Sequence, residues 1–149
     1  MESIFDQQGN QNIIARIEKL TPSTPAKWGK MTVSQMLVHC QQPIKVCYGT
    51  LKLKSGIMAF LFGKMIKKKI GGPKPFKQDL PTVKEFVVAN DPDFETSQKE
   101  LIDLVKVFAE KGHDAIVNPK HPFFGEMTMD EWNELQWKHL DHHLRQFGV

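Results

Sequence analysis

The chain has 149 residues, of which 40% are hydrophobic and 25% charged. That is enough to bury one core, and it is the composition of a globular domain, not of a disordered or fibrous segment. A net charge of +3 is too mild to point to nucleic acid, and no apolar run approaches the roughly 20 residues that cross a bilayer.

The opening MESIFDQQGN is polar and acidic, where a secretory leader starts basic and turns apolar, so a cytoplasmic location is expected. The first expected helix covers Asn12–Leu20, with Ile13, Ile14, Ile17 and Leu20 at steps of three and four. TPSTPAKWGK then breaks it, because two prolines and a glycine cannot continue a helix. The second helix starts at Thr32, where Thr32 and Gln35 form a T-x-x-Q capping box, and stops at Tyr48 before Gly49. Pro43 inside it predicts a kink or the local loss of one hydrogen bond. Cys40 and Cys47, seven apart on this helix, would have Cα atoms about 10 Å apart, beyond disulfide reach. Two free thiols suit a reducing compartment.

Between residues 50 and 82 there are eight lysines and no acid before Asp79. Ile57, Met58, Leu61, Phe62, Met65, Ile66 and Ile70 recur at helical spacing, which predicts a short amphipathic helix over 57–70, followed by a GGPKPF loop. A basic amphipathic helix can lie on an anionic membrane. The preferred reading packs its apolar side on the protein and leaves the lysines in water, with no membrane partner. LPTVKEFVVANDP predicts an extended stretch around Glu85–Ala89. A third helix is expected from Thr96 or Ser97, with a Ser97/Glu100 capping box, to Gly112. The NPKHPFFGEM loop follows, and a fourth helix runs from the Thr128/Glu131 box to about Phe147. No repeat or linker divides the chain, so residues 1–149 read as one all-α domain. It is a four-helix bundle with a short extra amphipathic helix between helices 2 and 3.

The chemistry concentrates in QWKHLDHHLRQFG, where three of six histidines fall in five positions. His139 and His143, four apart, share one helix face, and two imidazoles so placed can reach one ion. His142, three after His139, shares part of that side. The competing reading is a polar helix end whose cations complement the dipole. His39, on the second helix, reads singly as a hydrogen-bonded core histidine. As a third member it would complete a set of three nitrogens with a position left open, the pattern of catalytic metal sites. Gln35 and Gln146 are candidates for contacts to the outer ring nitrogens. Asp141 reads as a solvated acid, His121 as a structural loop residue, His113 as solvated and Cys40 as a buried apolar residue. No general acid or base stands out.

WGKMTVSQMLVHC (28–40), KPFKQDLPT (74–82), HPFFGEMTMDEW (121–132) and KHLDHHLRQFG (138–148) together resemble a bacterial family of unknown function within the DinB-like (YfiT-like) superfamily. The resemblance implies a four-helix bundle holding a divalent metal, zinc or nickel, on three histidines. Here these are His39, His139 and His143. Where many members follow the last histidine with Arg-Gly-Gln, this chain has Leu144-Arg145-Gln146. Characterised relatives in the superfamily imply a transferase that uses a low-molecular-weight thiol, with a small-molecule substrate, and a homodimer. A metal-dependent hydrolase and a non-enzymatic metal-binding or sensing bundle are the alternatives.

Overall fold

A computed structural model describes residues 2–53, 63, 67, 71–72, 74–78 and 80–149. Among these the chain is mostly helical, with helices α1 (Gln7–Glu18), α2 (Val33–Cys47), α3 (Phe94–Lys111) and α4 (Met129–Gln146). Two short 3-10 turns, Lys84–Phe86 and Gly112–Ala115, and one antiparallel strand pair, β1 (Lys120–His121) with β2 (Gly125–Glu126), complete the described elements.

Local chemistry sets two helix starts as expected. At α2 the Thr32 hydroxyl accepts the Gln35 N–H (3.2 Å), and the Gln35 side-chain oxygen accepts the Thr32 N–H (3.0 Å). Thr128 and Glu131 repeat this reciprocal cap at α4, at 3.2 and 2.8 Å. Each box satisfies two backbone donors that a helix start leaves unpaired. Helix α2 is continuous across Pro43 and ends at Cys47.

Other expectations are corrected. Helix α3 starts at Phe94, because Asp93 is the cap and accepts the Thr96 N–H at 2.9 Å. Ser97 lies inside the helix and donates its hydroxyl to the Asp93 carbonyl at 2.6 Å, so the Ser97/Glu100 box is not formed. Helix α1 begins at Gln7, five residues before the expected start at Asn12. Its first turns are buried through polar and small residues instead. Asn10 donates to the carbonyls of Ile4 (2.8 Å) and Val105 (2.7 Å), and a side chain at Gly9 would collide with the Ser3 carbonyl. The stretch expected to be extended around Glu85–Ala89 opens as the 3-10 turn Lys84–Phe86, and Val87 directly after it is extended. NPKHPFFGEM is not a plain loop, since it carries the β1–β2 pair.

The amphipathic helix expected over 57–70 lies outside the described residues, apart from Gly63 and Lys67. A Cβ at Gly63 would run into the Phe123 carbonyl, so the backbone there passes directly against the HPFFG turn. Lys67 is not left in water: its ammonium meets the Glu131 carboxylate and the Glu126 carbonyl, both at 2.8 Å.

Helices α1 and α2 each pack against both α3 and α4. The shared core takes Ile13 and Ile17 from α1, Met36, Leu37, Cys40 and Ile44 from α2, Leu101, Val105 and Phe108 from α3, and Trp132, Leu140 and Leu144 from α4. These recur at steps of three, four, seven and eight, the apolar stripe each helix must bury. Both cysteines are buried free thiols, and burial raises their pKa, so they pack as small apolar groups. Among the described residues, no helix is long and apolar enough to cross a membrane.

Candidate metal centre

The α2 cap fixes the helix register and so places His39 two turns in, on the face turned toward α4. His139 and His143 come from successive turns of α4. The three rings converge. Nε2 of His39 and Nε2 of His139 are 3.2 Å apart, and one nitrogen from each of the three residues lies within 4.8 Å of the others. Ring centres are 4.7 to 5.1 Å apart. With zinc–nitrogen bonds of about 2.0–2.1 Å, tetrahedral neighbours lie about 3.3 Å apart, close to the His39–His139 spacing.

The outer nitrogens decide the tautomers. Nδ1 of His39 is 2.9 Å from the Phe86 carbonyl, which can only accept, so that nitrogen carries the hydrogen and Nε2 keeps its lone pair. At His143 the partner is the Gln146 side-chain oxygen, 2.8 Å from Nδ1. Gln146 is held in that orientation because its amide nitrogen donates to the Trp28 carbonyl at 2.7 Å. His143 therefore also presents a bare Nε2, and acceptors on outer nitrogens are what keep metal-binding imidazoles oriented. Backbone geometry supports the contact from below. Gly29 has φ +81°, and a Cβ there would come 2.5 Å from the Gln146 amide nitrogen.

His139 is different. Among the described residues, its buried Nδ1 has no hydrogen-bond partner. If that atom holds the hydrogen, two lone pairs face each other across 3.2 Å, which a cation between them relieves. If Nε2 holds it instead, it donates to His39 and a buried acceptor stays unpaired. Either arrangement leaves one nitrogen unsatisfied, and only the first offers three bare nitrogens to one ion.

Burial is the main reason that all three rings stay neutral. It lowers the pKa of His39 against the opposing hydrogen bond to Phe86. It holds His139 well below the ordinary value, with help from His143 and His39, and brings His143 down to about 3. Neutral imidazole is the form that binds metal. The donor set therefore fits a divalent ion, and three histidines this close together can hold one.

The other candidates sort cleanly. Gln146 contacts His143 as expected, whereas Gln35 is committed to the α2 cap and to the Asn90 carbonyl at 3.0 Å. Asp141 is not a solvated acid: it is mostly buried and pairs with Arg16 of α1 at 2.9 Å. His121 is structural. It is buried, stacks on Phe124 at 4.3 Å, and its Nδ1 accepts the N–H groups of Phe123 and Phe124. Burial lowers its pKa to about 4. His113 is exposed, with one edge against Phe5. His142 is half-buried beside the trio, its ring 5.0 Å from that of His143, and its pKa is lowered by burial. The carbonyls of Phe86 and Trp28 were not anticipated. The turn-forming Gly29 after Trp28 was the one available hint of a close backbone approach.

Searches of the curated proteins and of the solved structures return no match. The family described as "Protein of unknown function (DUF1569)" matches residues 5–148, nearly the whole chain. The chain belongs to that family.

Proposed function

We propose that this chain is a divalent-metal-dependent enzyme built on a DinB-like four-helix bundle, with His39, His139 and His143 holding zinc or nickel. The reaction proposed is group transfer to or from a low-molecular-weight thiol. The observation that carries this reading is the convergence of three neutral imidazoles from α2 and α4, two of them with their outer nitrogens already held by acceptors. The packing of α1 and α2 each against both α3 and α4 supports the bundle.

When bound, such an ion supplies Lewis acidity that makes a small thiol or a water nucleophilic near neutral pH. The protein's part is separable from that. Phe86 and Gln146 aim two imidazoles inward, and burial keeps all three unprotonated. Three neutral ligands also leave the full positive charge of a divalent ion uncompensated, which favours an anionic fourth partner such as a thiolate. The same argument admits hydroxide, so hydrolysis is the second reading.

The test is metal content and thiol binding in purified wild type, His39→Ala and His143→Ala. One equivalent of metal in wild type, lost in both variants, is expected. So is a thiolate-to-metal charge-transfer band when a small thiol is added to nickel-loaded protein. Equal metal in wild type and His143→Ala removes the trio as the ligand set, and a bound metal that no thiol perturbs removes the transferase.

A further inference from the structure

Three aromatic rings lie around the histidine cluster from connections between elements, one against His39 of the trio and two against its neighbour His142. Trp28 lies before α2, Phe76 in the stretch before residue 80, and Phe86 at the end of the 3-10 turn. The Phe86 ring stands edge-on to His39, 6.2 Å between centres. Trp28 and Phe76 flank His142 at 5.8 and 6.0 Å. All three rings are half-buried. Half-buried aromatics elsewhere, such as Phe5, Phe94, Phe124 and Trp137, pack on the hydrophobic core, and among the described residues these three are not part of that packing. Core formation therefore leaves their placement unexplained.

The backbones of Phe86 and Trp28 are tied to the trio. The Phe86 carbonyl is the acceptor for His39, and the Trp28 carbonyl is the acceptor for Gln146, which orients His143. Phe76 is held by Lys138, whose ammonium sits 5.1 Å over its ring while donating to the Gly72 carbonyl at 2.8 Å. The groups that orient the imidazoles thus also deliver uncharged aromatic surface beside them.

We infer that Trp28, Phe76 and Phe86 form a specificity rim, and that the substrate carries an aromatic or other planar apolar group next to the atom that reaches the ion. This rests on the metal reading above. Such a group would gain offset or edge contacts with rings already fixed in place, at little ordering cost.

Two hydroxamates separate the ideas, because acetohydroxamate and benzohydroxamate share one metal-chelating group and differ in a methyl against a phenyl. Their affinities are measured calorimetrically on zinc-loaded or nickel-loaded wild type and on a Trp28→Leu/Phe76→Leu double variant. That variant keeps every backbone carbonyl and all three ligands. Wild type should favour benzohydroxamate by about tenfold or more, and the variant should lose most of that preference while keeping its metal. Equal binding of the two probes by metal-loaded wild type overturns the rim and leaves the metal site standing. Retention of neither metal overturns the site beneath it, and the rim with it. If the double variant does not fold, as judged by circular dichroism, Phe86→Leu takes its place, and the wild-type comparison decides by itself.

Discussion

Gln146 is the most exacting test of how the histidine trio is built. Gln146→Leu keeps the volume and removes two buried hydrogen bonds, the 2.8 Å contact to His143 and the 2.7 Å contact to Trp28. The ring of His143 loses its orienting acceptor and stays on the same helix turn. Replacing such an outer contact costs about 10- to 100-fold in metal affinity, or roughly 1.4–2.7 kcal/mol. Gly29→Ala should act in the same direction by another route. Its Cβ would come 2.5 Å from the Gln146 amide nitrogen, at a backbone angle of +81° that alanine rarely adopts, so the amide must move. Competition against a chromophoric chelator at neutral pH measures both variants. In a His143→Ala background, Gln146→Leu should have no further effect on metal binding, because the residue it acts through is gone. Wild-type affinity in Gln146→Leu, or a loss as complete as that of His143→Ala, would refute the reasoning.

Acid should weaken the metal-free fold. Burial lowers His121 to about 4 and His143 to about 3, and lowers His39 and His139 in the same direction. The unfolded chain, with ordinary values near 6.5, therefore binds these protons first. Stability present above pH 6.5 is lost as pH falls toward the folded values, by up to about 1.4 kcal/mol per pH unit for each such group. Chelator-treated protein should show a lower urea midpoint at about pH 5 than at about pH 7, and identical midpoints contradict the assignment. Asn10→Ala strips two buried carbonyls, those of Ile4 and Val105, of their donor. It should cost about 2 kcal/mol or more in chemical denaturation, and a cost near zero would show that Asn10 does not bind α1 to α3.

What could be read from the residues was what local chemistry decides. The Thr32/Gln35 and Thr128/Glu131 boxes act over three residues and mark two helix starts. The four-residue step from His139 to His143 and the three-residue step to Gln146 are likewise local. Several misreadings needed a distant partner, whereas the start of α3 turns on a local one, Asp93, which caps Thr96. The start of α1 is buried through Asn10, which answers a carbonyl on α3, and no isoleucine pattern announces that. Asp141 looked solvated because Arg16, its partner, lies on another helix. Gln35 is occupied by the Thr32 cap and by the Asn90 carbonyl, 55 positions away. The acceptors at Phe86 and Trp28 are backbone carbonyls, which every residue has, so no residue type signals them.

His39 and His139 are separated by 100 positions in the chain, while His139 and His143 share one helix. An isolated α4 peptide would offer a cation only two of these three donors, and the third appears only when α2 has docked. An ion that needs all three thus distinguishes assembled protein from a loose collection of helices, and its binding energy is felt entirely as a clamp on that one helix pairing. Metal uptake during refolding would be expected to trail the formation of helical signal and to coincide with the closing of the α2–α4 contact.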